Sequence, residues 1–572
     1  MSSDKRNDKN KAAQFDAIVI GSGITGGWAA KELTEKGLKV LVLERGVKVE
    51  HQTGYIHEFT PPWQAPDGGL PERELHARDY EIQSKIERGA FSWANRHYWI
   101  NDRENPYEQV KPFRWHRTNV LGGRSLTWGR QSYRWGNDDF LANARDGHGN
   151  DWPIRYADLA PWYSHVEKFI GVSGQPEGLE HFPDGDYLPP MAMTVVERAL
   201  KERIEAKWQD RRVTIGRVAN LTEAHNGRGQ CQNRNICNRG CSFGAYFSSL
   251  SSTLPAAQQT GRLTVRTDSV VESIDVDPRT KRATGVRVID AKSGARHTFK
   301  ARVIFLCAST YGTLQVLLQS RSAAHPNGIG NHSDVLGRYL VDHNGVAAFG
   351  EISGFEDRNY KGRRATGILI PRFRNLGRQD EDADFTRGYG FQGGAMRDDW
   401  TNTAALTDDF GAGMKHNIAR PGKWVAFLGA FGEQLPQAHN RVTLNDRKPG
   451  NYGLPQLSFD VAYGENERRM ALDAGRQAEQ MLKAAGAARV QLAPVRSIPG
   501  TSIHEMGGAR MGHDPAESVL NAHNQVHGVD NLFVTDGAAM ASAGTVNPSL
   551  TYMALTARAV DFAVAQLRAG RI

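Results

Sequence analysis

Cysteine is scarce in this chain, with 4 in 572 residues. A disulfide-stapled scaffold is excluded at that density in so long a chain. Long apolar runs are missing as well. None approaches the roughly 18 residues a membrane-spanning helix requires, so no transmembrane segment is expected. Residues 1–14 are polar and charged, without an apolar h-region, so no secretory signal is visible and a disordered tail is expected. No internal repeat, low-complexity run or C-x-x-C-H haem-attachment motif occurs. Charge of one sign is not segregated: 71 Lys and Arg are scattered among 63 Asp and Glu, giving a net charge of +8. Nucleic-acid binding wants its basic residues in one stripe, so no nucleic-acid partner is expected; the scattered charge reads as a solvated basic surface, with an acidic redox partner as the alternative.

What is present is length, glycine and tryptophan. A chain of 572 residues has room for two or three domains and a large core. Its 60 Gly and 12 Trp suggest close backbone approaches and an aromatic-rich pocket. Asp16-Ala17-Ile18-Val19-Ile20 reads as a buried strand and runs into Gly21-Ser22-Gly23-Ile24-Thr25-Gly26. A helix is expected over 28–36, and Lys39-Val40-Leu41-Val42-Leu43 reads as a second strand ending at Glu44. Gly21 permits the tight turn, Gly23 lets backbone approach a pyrophosphate, and Gly26 lets helix and strand pack closely. The helix N-terminus offers free N–H groups to the phosphates. Glu44 stands where a carboxylate meets ribose hydroxyls. The fingerprint alone leaves FAD and NAD both open.

The other end of the chain carries a reactive pair. His504 lies in His504-Glu505-Met506-Gly507-Gly508, and Asn547 in Gly544-Thr545-Val546-Asn547-Pro548. Between them Leu532-Phe533-Val534-Thr535 is a strand pattern ending in Asp536-Gly537. The pair suggests a buried redox cofactor with a general base and a polar partner beside it. After Pro548, apolar residues recur at Leu550, Met553, Ala557, Val560, Val564 and Leu567, which is helical spacing. Asn at N-cap and Pro at N1 is a helix start. If that N-terminus faces the cofactor, its dipole would stabilise a reduced, anionic form. The plain alternatives are that Asn547 only caps the helix and that His504 is a core histidine.

Residues 119–128 read Asn-Val-Leu-Gly-Gly-Arg-Ser-Leu-Thr-Trp. With the first fingerprint and the His504/Asn547 end, the chain resembles the glucose–methanol–choline (GMC) oxidoreductases over nearly its whole length. The resemblance implies an α/β fold: an FAD-binding Rossmann-like domain plus a sheet-and-helix substrate domain. The FAD-binding domain is expected from 14–50, 111–140, 215–330 and 500–572. A lid or partner-facing excursion is expected at 51–110, and the substrate domain at 141–214 and 331–499. By resemblance, Gly122, Gly123 and Ser125 lie along the cofactor, Val270 and Val271 near the adenine, and Asp536-Gly537 near the ribityl–pyrophosphate part. His504 is then the base that takes the hydroxyl proton while hydride passes to flavin N5, a role suited to neutral imidazole. Asn547 takes the position beside it. Some members attach flavin through a His where this chain has Thr127, so non-covalent FAD is expected.

Cys231, Cys237 and Cys241 form a C-x5-C-x3-C loop. Thiolates favour iron–sulfur or zinc. Zinc wants four ligands, with His225 as a fourth; three cysteines fit a three-iron cluster; free thiols are the remaining reading. The spacing is similar to that of bacterial FAD sugar dehydrogenases (the glucose, fructose and glucoside 3-dehydrogenase catalytic subunits), which carry a [3Fe-4S] cluster there. Cys307, in an apolar strand, reads as structural. A cluster implies one-electron export, hence a dehydrogenase with an external acceptor such as cytochrome c. The resemblance further implies a small export-signal-bearing subunit. It places the protein in a bacterial periplasm by co-export, or else in the cytoplasm. The expected substrate is a sugar or glycoside ring hydroxyl, C3 of glucosides favoured and C1 of aldoses next. An oxygen-using oxidase with structural cysteines is the alternative. A non-catalytic flavoprotein scaffold is a third, opposed by the intact His504/Asn547 pair. Gln392, Trp400 and Trp424 are sugar-binding candidates by residue type only. Glu433 is a pocket candidate or an ion-pair partner of Arg441. His513, His523 and His527 read as surface or loop residues.

Overall fold

The computed structural model describes residues 14–69, 71–86, 90–358, 365–397, 410–420 and 422–572. Residues 1–13, read above as part of a tail, and Trp400 lie outside the described residues. No helix among those described is long and apolar enough to cross a membrane.

The glycine fingerprint opens a parallel sheet. Strand β1 (Gln14–Ile20) leads through the glycine turn into helix α1 (Ile24–Glu35) and returns as β2 (Val40–Leu43), paired parallel to β1. β3 (Leu263–Arg266) extends the sheet beyond β2. β4 (Ser269–Asp277) and β5 (Arg282–Asp290) form an antiparallel hairpin. The long β6 (Arg296–Leu306) serves two neighbours. Its first half pairs antiparallel with β5, and its second half pairs parallel with β1. Helix α2 (Thr310–Gln319) follows, β7 (Val529–Val534) adds parallel to β6, and α3 (Ser549–Arg568) ends the chain. β2 is buried along its whole length, and β1 and β7 nearly so. That is why they read as continuous apolar runs and not as alternating ones. This is the Rossmann-like half expected from the sequence.

The second half is an antiparallel sheet in the order Ala488–Leu492, Ala347–Ile352, Trp424–Glu433, Tyr389–Arg397, Ile368–Ile370, Thr214–Ile215. Helix Glu465–Ala484 packs across it, burying Met470, Ala474, Ala478 and Met481, which recur at helical spacing. A short strand, His343–Asn344, pairs with Gly432 and Glu433 at the end of a central strand. That strand end delivers His343 to the boundary between the two halves. Helix Tyr156–Ile170 lies against α3, and Thr214–Ile215 joins the second sheet, so the stretch between them touches both halves.

Candidate active site and cysteine loop

A cavity of about 310 Å³ lies over the ends of β1, β2 and β6. It is bounded by Gly21, Gly23, Glu44, Gly123, Ser125, Val270, Val271, Asp536 and Gly537, and at its far end by His504 and Asn547. The first residues of α1, α2 and α3 all line it: Ile24 and Thr25, Thr310, and Ser549. Three helix N-termini therefore direct unpaired N–H groups and positive dipole ends into one space, a fit for the phosphates and reduced ring of a flavin nucleotide.

Gly26 and Gly122 stand just behind this wall. A Cβ on Gly26 would lie 1.9 Å from the Gly21 carbonyl oxygen, so helix and turn could not close with any larger residue. Gly122 has φ +88° and donates its N–H to Ser22 Oγ at 2.8 Å, tying the two glycine segments together. Glu44 accepts from the backbone N–H of Ser22 at 3.0 Å and of Gly46 at 2.7 Å. Burial pushes its carboxyl above the usual range. Asp536 accepts from Ala538 N–H at 3.0 Å and from the Thr313 hydroxyl, and burial raises its pKa to about 6. Thr127 lines the cavity at the position where a covalent flavin attachment would require histidine.

His504 and Asn547 meet: Asn547 Nδ2 lies 3.0 Å from His504 Nε2. Gln392 Nε2 donates to Asn547 Oδ1, so that candidate joins the site. The cap expectation for Asn547 needs correcting. The helix begins at Ser549, Pro548 occupies the cap position, and no side-chain cap bond forms. The Asn547 amide is spent on His504 and Gln392 instead. Ile503, just before His504, has φ +60°, a strained value for a β-branched residue held in place by its surroundings.

Several site residues escaped sequence reasoning. Arg124 and Glu505 form a two-pronged ion pair along the cavity, at 3.2 and 2.6 Å. His343 lies 2.8 Å, Nδ1 to Nδ1, from His504. Asp342 accepts from the backbone N–H of His343, Gly500 and His504, while burial and nearby Glu505 push its pKa up to about 7. The polar run Asp342-His343-Asn344 amid apolar residues was the available signal. Trp424 is buried and donates to the Phe355 carbonyl, a structural role. Glu433 pairs with Arg387, not with Arg441. His513 is exposed, His523 stacks on Phe562, and His527 bonds to Ser518. Cys307 is buried beneath the glycine turn, with its thiol pushed up to about 12 by burial.

Cys231, Cys237 and Cys241 are half-buried free thiols on one loop. Among the described residues no three His, Cys, Asp or Glu side chains gather into a metal-holding group. The expected cluster ligands therefore share a loop without converging. His225 is committed elsewhere, 2.7 Å from the Lys168 carbonyl through Nε2, so it stands apart as a fourth zinc ligand. The loop is moored on both sides. Glu58 binds Arg234 and Ser242, and Arg239 donates to the Thr60 carbonyl. Toward the cavity, Tyr246 donates to the Leu126 carbonyl, and Ser249 N–H to Ser125 Oγ.

The chain matches GMC oxidoreductase over residues 15–344 in an N-terminal part and 436–556 in a C-terminal part. The fructose dehydrogenase large subunit of Gluconobacter japonicus is 27% identical, over 98% of this chain and 100% of its own. A 2-methyl-1,2-propanediol dehydrogenase of Mycolicibacterium austroafricanum is 29% identical, over 96% and 95%. A C-glycoside 3-oxidase of Arthrobacter globiformis is 30% identical over 48% and 49%. A formate oxidase structure from Aspergillus oryzae superposes with TM-score 0.59 at 14% identity, over 98% of this chain and 99% of that one, which speaks for the fold. With its cavity walled by the glycine fingerprint and ended by His504 and Asn547, the chain belongs to the GMC oxidoreductases, FAD-dependent enzymes acting on CH–OH groups.

Proposed function

We propose that this protein is a dehydrogenase that oxidises a ring hydroxyl of a sugar or glycoside, with C3 of glucosides favoured and C1 of aldoses next. The observation that carries the chemistry is the 3.0 Å contact between Asn547 Nδ2 and His504 Nε2 at the end of the cofactor cavity. A substrate hydroxyl entering there can donate to Nε2 and accept from the Asn547 amide. Bound FAD supplies a two-electron hydride acceptor at N5. The O–H proton goes to His504 Nε2, the C–H bond breaks with its electron pair, and the carbinol becomes a carbonyl. Gln392 holds the Asn547 amide in the donating orientation. Support for a sugar-like substrate comes from relatives named for fructose and for a C-glycoside oxidised at position 3.

We further propose that FAD is held non-covalently, because Thr127 offers no attachment point. Cys231, Cys237 and Cys241 are proposed to hold a [3Fe-4S] cluster. Their spacing, their free thiols and the mooring of the loop on Leu126 and Ser125 beside the cavity support it. The thiols would have to draw together on the metal, and no step of the reaction above depends on them. A cluster would send electrons to an external acceptor such as cytochrome c, with a small subunit that carries the export signal and takes the folded pair to the periplasm. The relative from Gluconobacter japonicus is itself named as a large subunit. An oxygen-using oxidase is the second reading, favoured by relatives with that name.

Purified protein given glucosides should bleach its flavin and reduce a dye or cytochrome c without forming peroxide. Its iron content and EPR spectrum should report a three-iron cluster. Stoichiometric peroxide with no iron would establish the oxidase instead. His504→Ala should lower turnover by about 10²- to 10⁴-fold with FAD retained; near-normal turnover would remove His504 as the base.

A further inference from the structure

His343 reaches the site from the second sheet, where its strand pairs with Gly432 and Glu433. Its Nε2 faces two carbonyl oxygens, of Ala543 at 3.2 Å and Gly544 at 3.0 Å. Carbonyls only accept, so Nε2 carries a proton. Burial holds the ring neutral, with a pKa down to about 4. Its Nδ1 is then a bare lone pair, 2.8 Å from Nδ1 of His504. Two bare nitrogens repel at that distance, so His504 Nδ1 must be the donor. Neutral His504 is left with an unprotonated Nε2, the atom that faces the Asn547 amide nitrogen. One direction of donation satisfies the whole chain: Gln392 to Asn547, Asn547 to His504, His504 to His343, His343 to the backbone.

We propose that His343 is a positioning residue which holds His504 in its Nδ1-protonated tautomer and so presents a bare Nε2 to the substrate hydroxyl. The inference deepens the reading of His504 as base and rests on it. Imidazole in water favours the opposite, Nε2-protonated form; the Asn547 amide opposes it from the Nε2 side, and His343, by accepting from Nδ1–H, makes the Nδ1-protonated form the one in which both ring nitrogens are bonded. The acceptor behind His504 is a neutral imidazole. A carboxylate there would add negative charge and make Nε2 hold its proton more tightly; His343 selects the tautomer without that effect. Its own Nε2–H ends on carbonyls, which take no proton. A proton accepted at His504 Nε2 therefore does not travel onward through His343, and must leave through the cavity. Phe431 packs against both rings, at centroid distances of 5.8 and 5.5 Å, and keeps their mutual angle near perpendicular at 85°.

The test is ¹⁵N-histidine NMR of the FAD-loaded protein at pH 8, with the His504 signals identified by their loss in His504→Gln. The wild type should show His504 protonated on Nδ1 and bare on Nε2. In His343→Leu the proton should move to Nε2, and turnover should fall by about 10²- to 10⁴-fold at unchanged FAD content. His343→Asn, whose Oδ1 again offers an acceptor, should restore the tautomer and part of the turnover. A wild-type His504 carrying its proton on Nε2 overturns the proposal, as does His343→Leu with tautomer and turnover unchanged. Should His504→Ala keep its turnover while the wild-type tautomer is the one expected, the base assignment fails and the tautomer lock stands, so the two failures are distinguishable.

Discussion

The His504 end of the cavity and the cysteine loop are built in opposite ways. At His504 each polar atom that matters is oriented before any ligand arrives: Gln392, Asn547, His504 and His343 form one directed chain, and Asp342 gathers three backbone N–H groups beneath it. The cysteine loop is fixed at its edges by Glu58, Arg239 and Tyr246, yet its three thiols do not converge. The difference is the one that the two proposed chemistries call for. A proton acceptor works only in one tautomer and one orientation, so its geometry must be prepaid by packing. A metal supplies its own organising energy, since ligand thiolates are gathered by the bonds they form.

The largest effect that could break this comparison comes from the loop. Replacing Cys231, Cys237 and Cys241 by Ser should abolish cytochrome reduction and iron content, while glucoside still bleaches the flavin at a near-normal rate. Stopped-flow absorbance separates the two half-reactions. Loss of flavin bleaching together with cytochrome reduction would mean that the loop shapes the substrate site, and the contrast between an organised site and a metal-organised loop would fall.

A smaller effect probes the rigid side. His116 lines the cavity, is buried, and has no protein hydrogen-bond partner on either ring nitrogen. Burial first, then the cations Arg124, Arg114 and Arg117, lowers its pKa to about 3. Between pH 6.5 and 3 the unfolded chain binds a proton that the folded chain refuses, so this group's contribution is intact above 6.5 and is lost as pH falls. His116→Leu removes that proton uptake. In cofactor-free protein, wild type should lose about 2 kcal/mol relative to the variant between pH 8 and pH 5. Denaturant melts at both pH values measure the gap, and a gap that does not grow on acidification would mean the ring has a polar partner.

Local signals in the sequence carried far. The glycine turn with its flanking apolar strands located β1, α1 and β2, because buried parallel strands and a close helix leave few residue choices. Gly21, Gly23, Glu44, Asp536 and Asn547 all reach one cavity. What stayed hidden was long-range pairing between single residues. His343 and His504 stand 161 positions apart, and Arg124 and Glu505 381 apart. Neither pair repeats or sits in a period, so only the fold brings them together. At Asn547 the local rule pointed to a cap and the tertiary contact won, since its side chain is taken up by His504 and Gln392.

The smallest effect separates the two metal readings of the loop. A zinc site would need a fourth ligand, and His225 is the histidine nearest in sequence to the three cysteines. Its Nε2 instead lies 2.7 Å from the carbonyl of Lys168, at the end of helix Tyr156–Ile170, and its backbone pairs with Arg228 in a tight turn. The ring thus pins the start of the cysteine loop to that helix. His225→Ala should cost about 1 kcal/mol, the ordinary value of one hydrogen bond, and should leave metal content and the electron path to cytochrome untouched. Metal analysis of the variant decides between them. Loss of bound metal with His225→Ala would move the loop to a four-ligand site, and the cysteines would then brace the fold instead of carrying electrons away from the flavin.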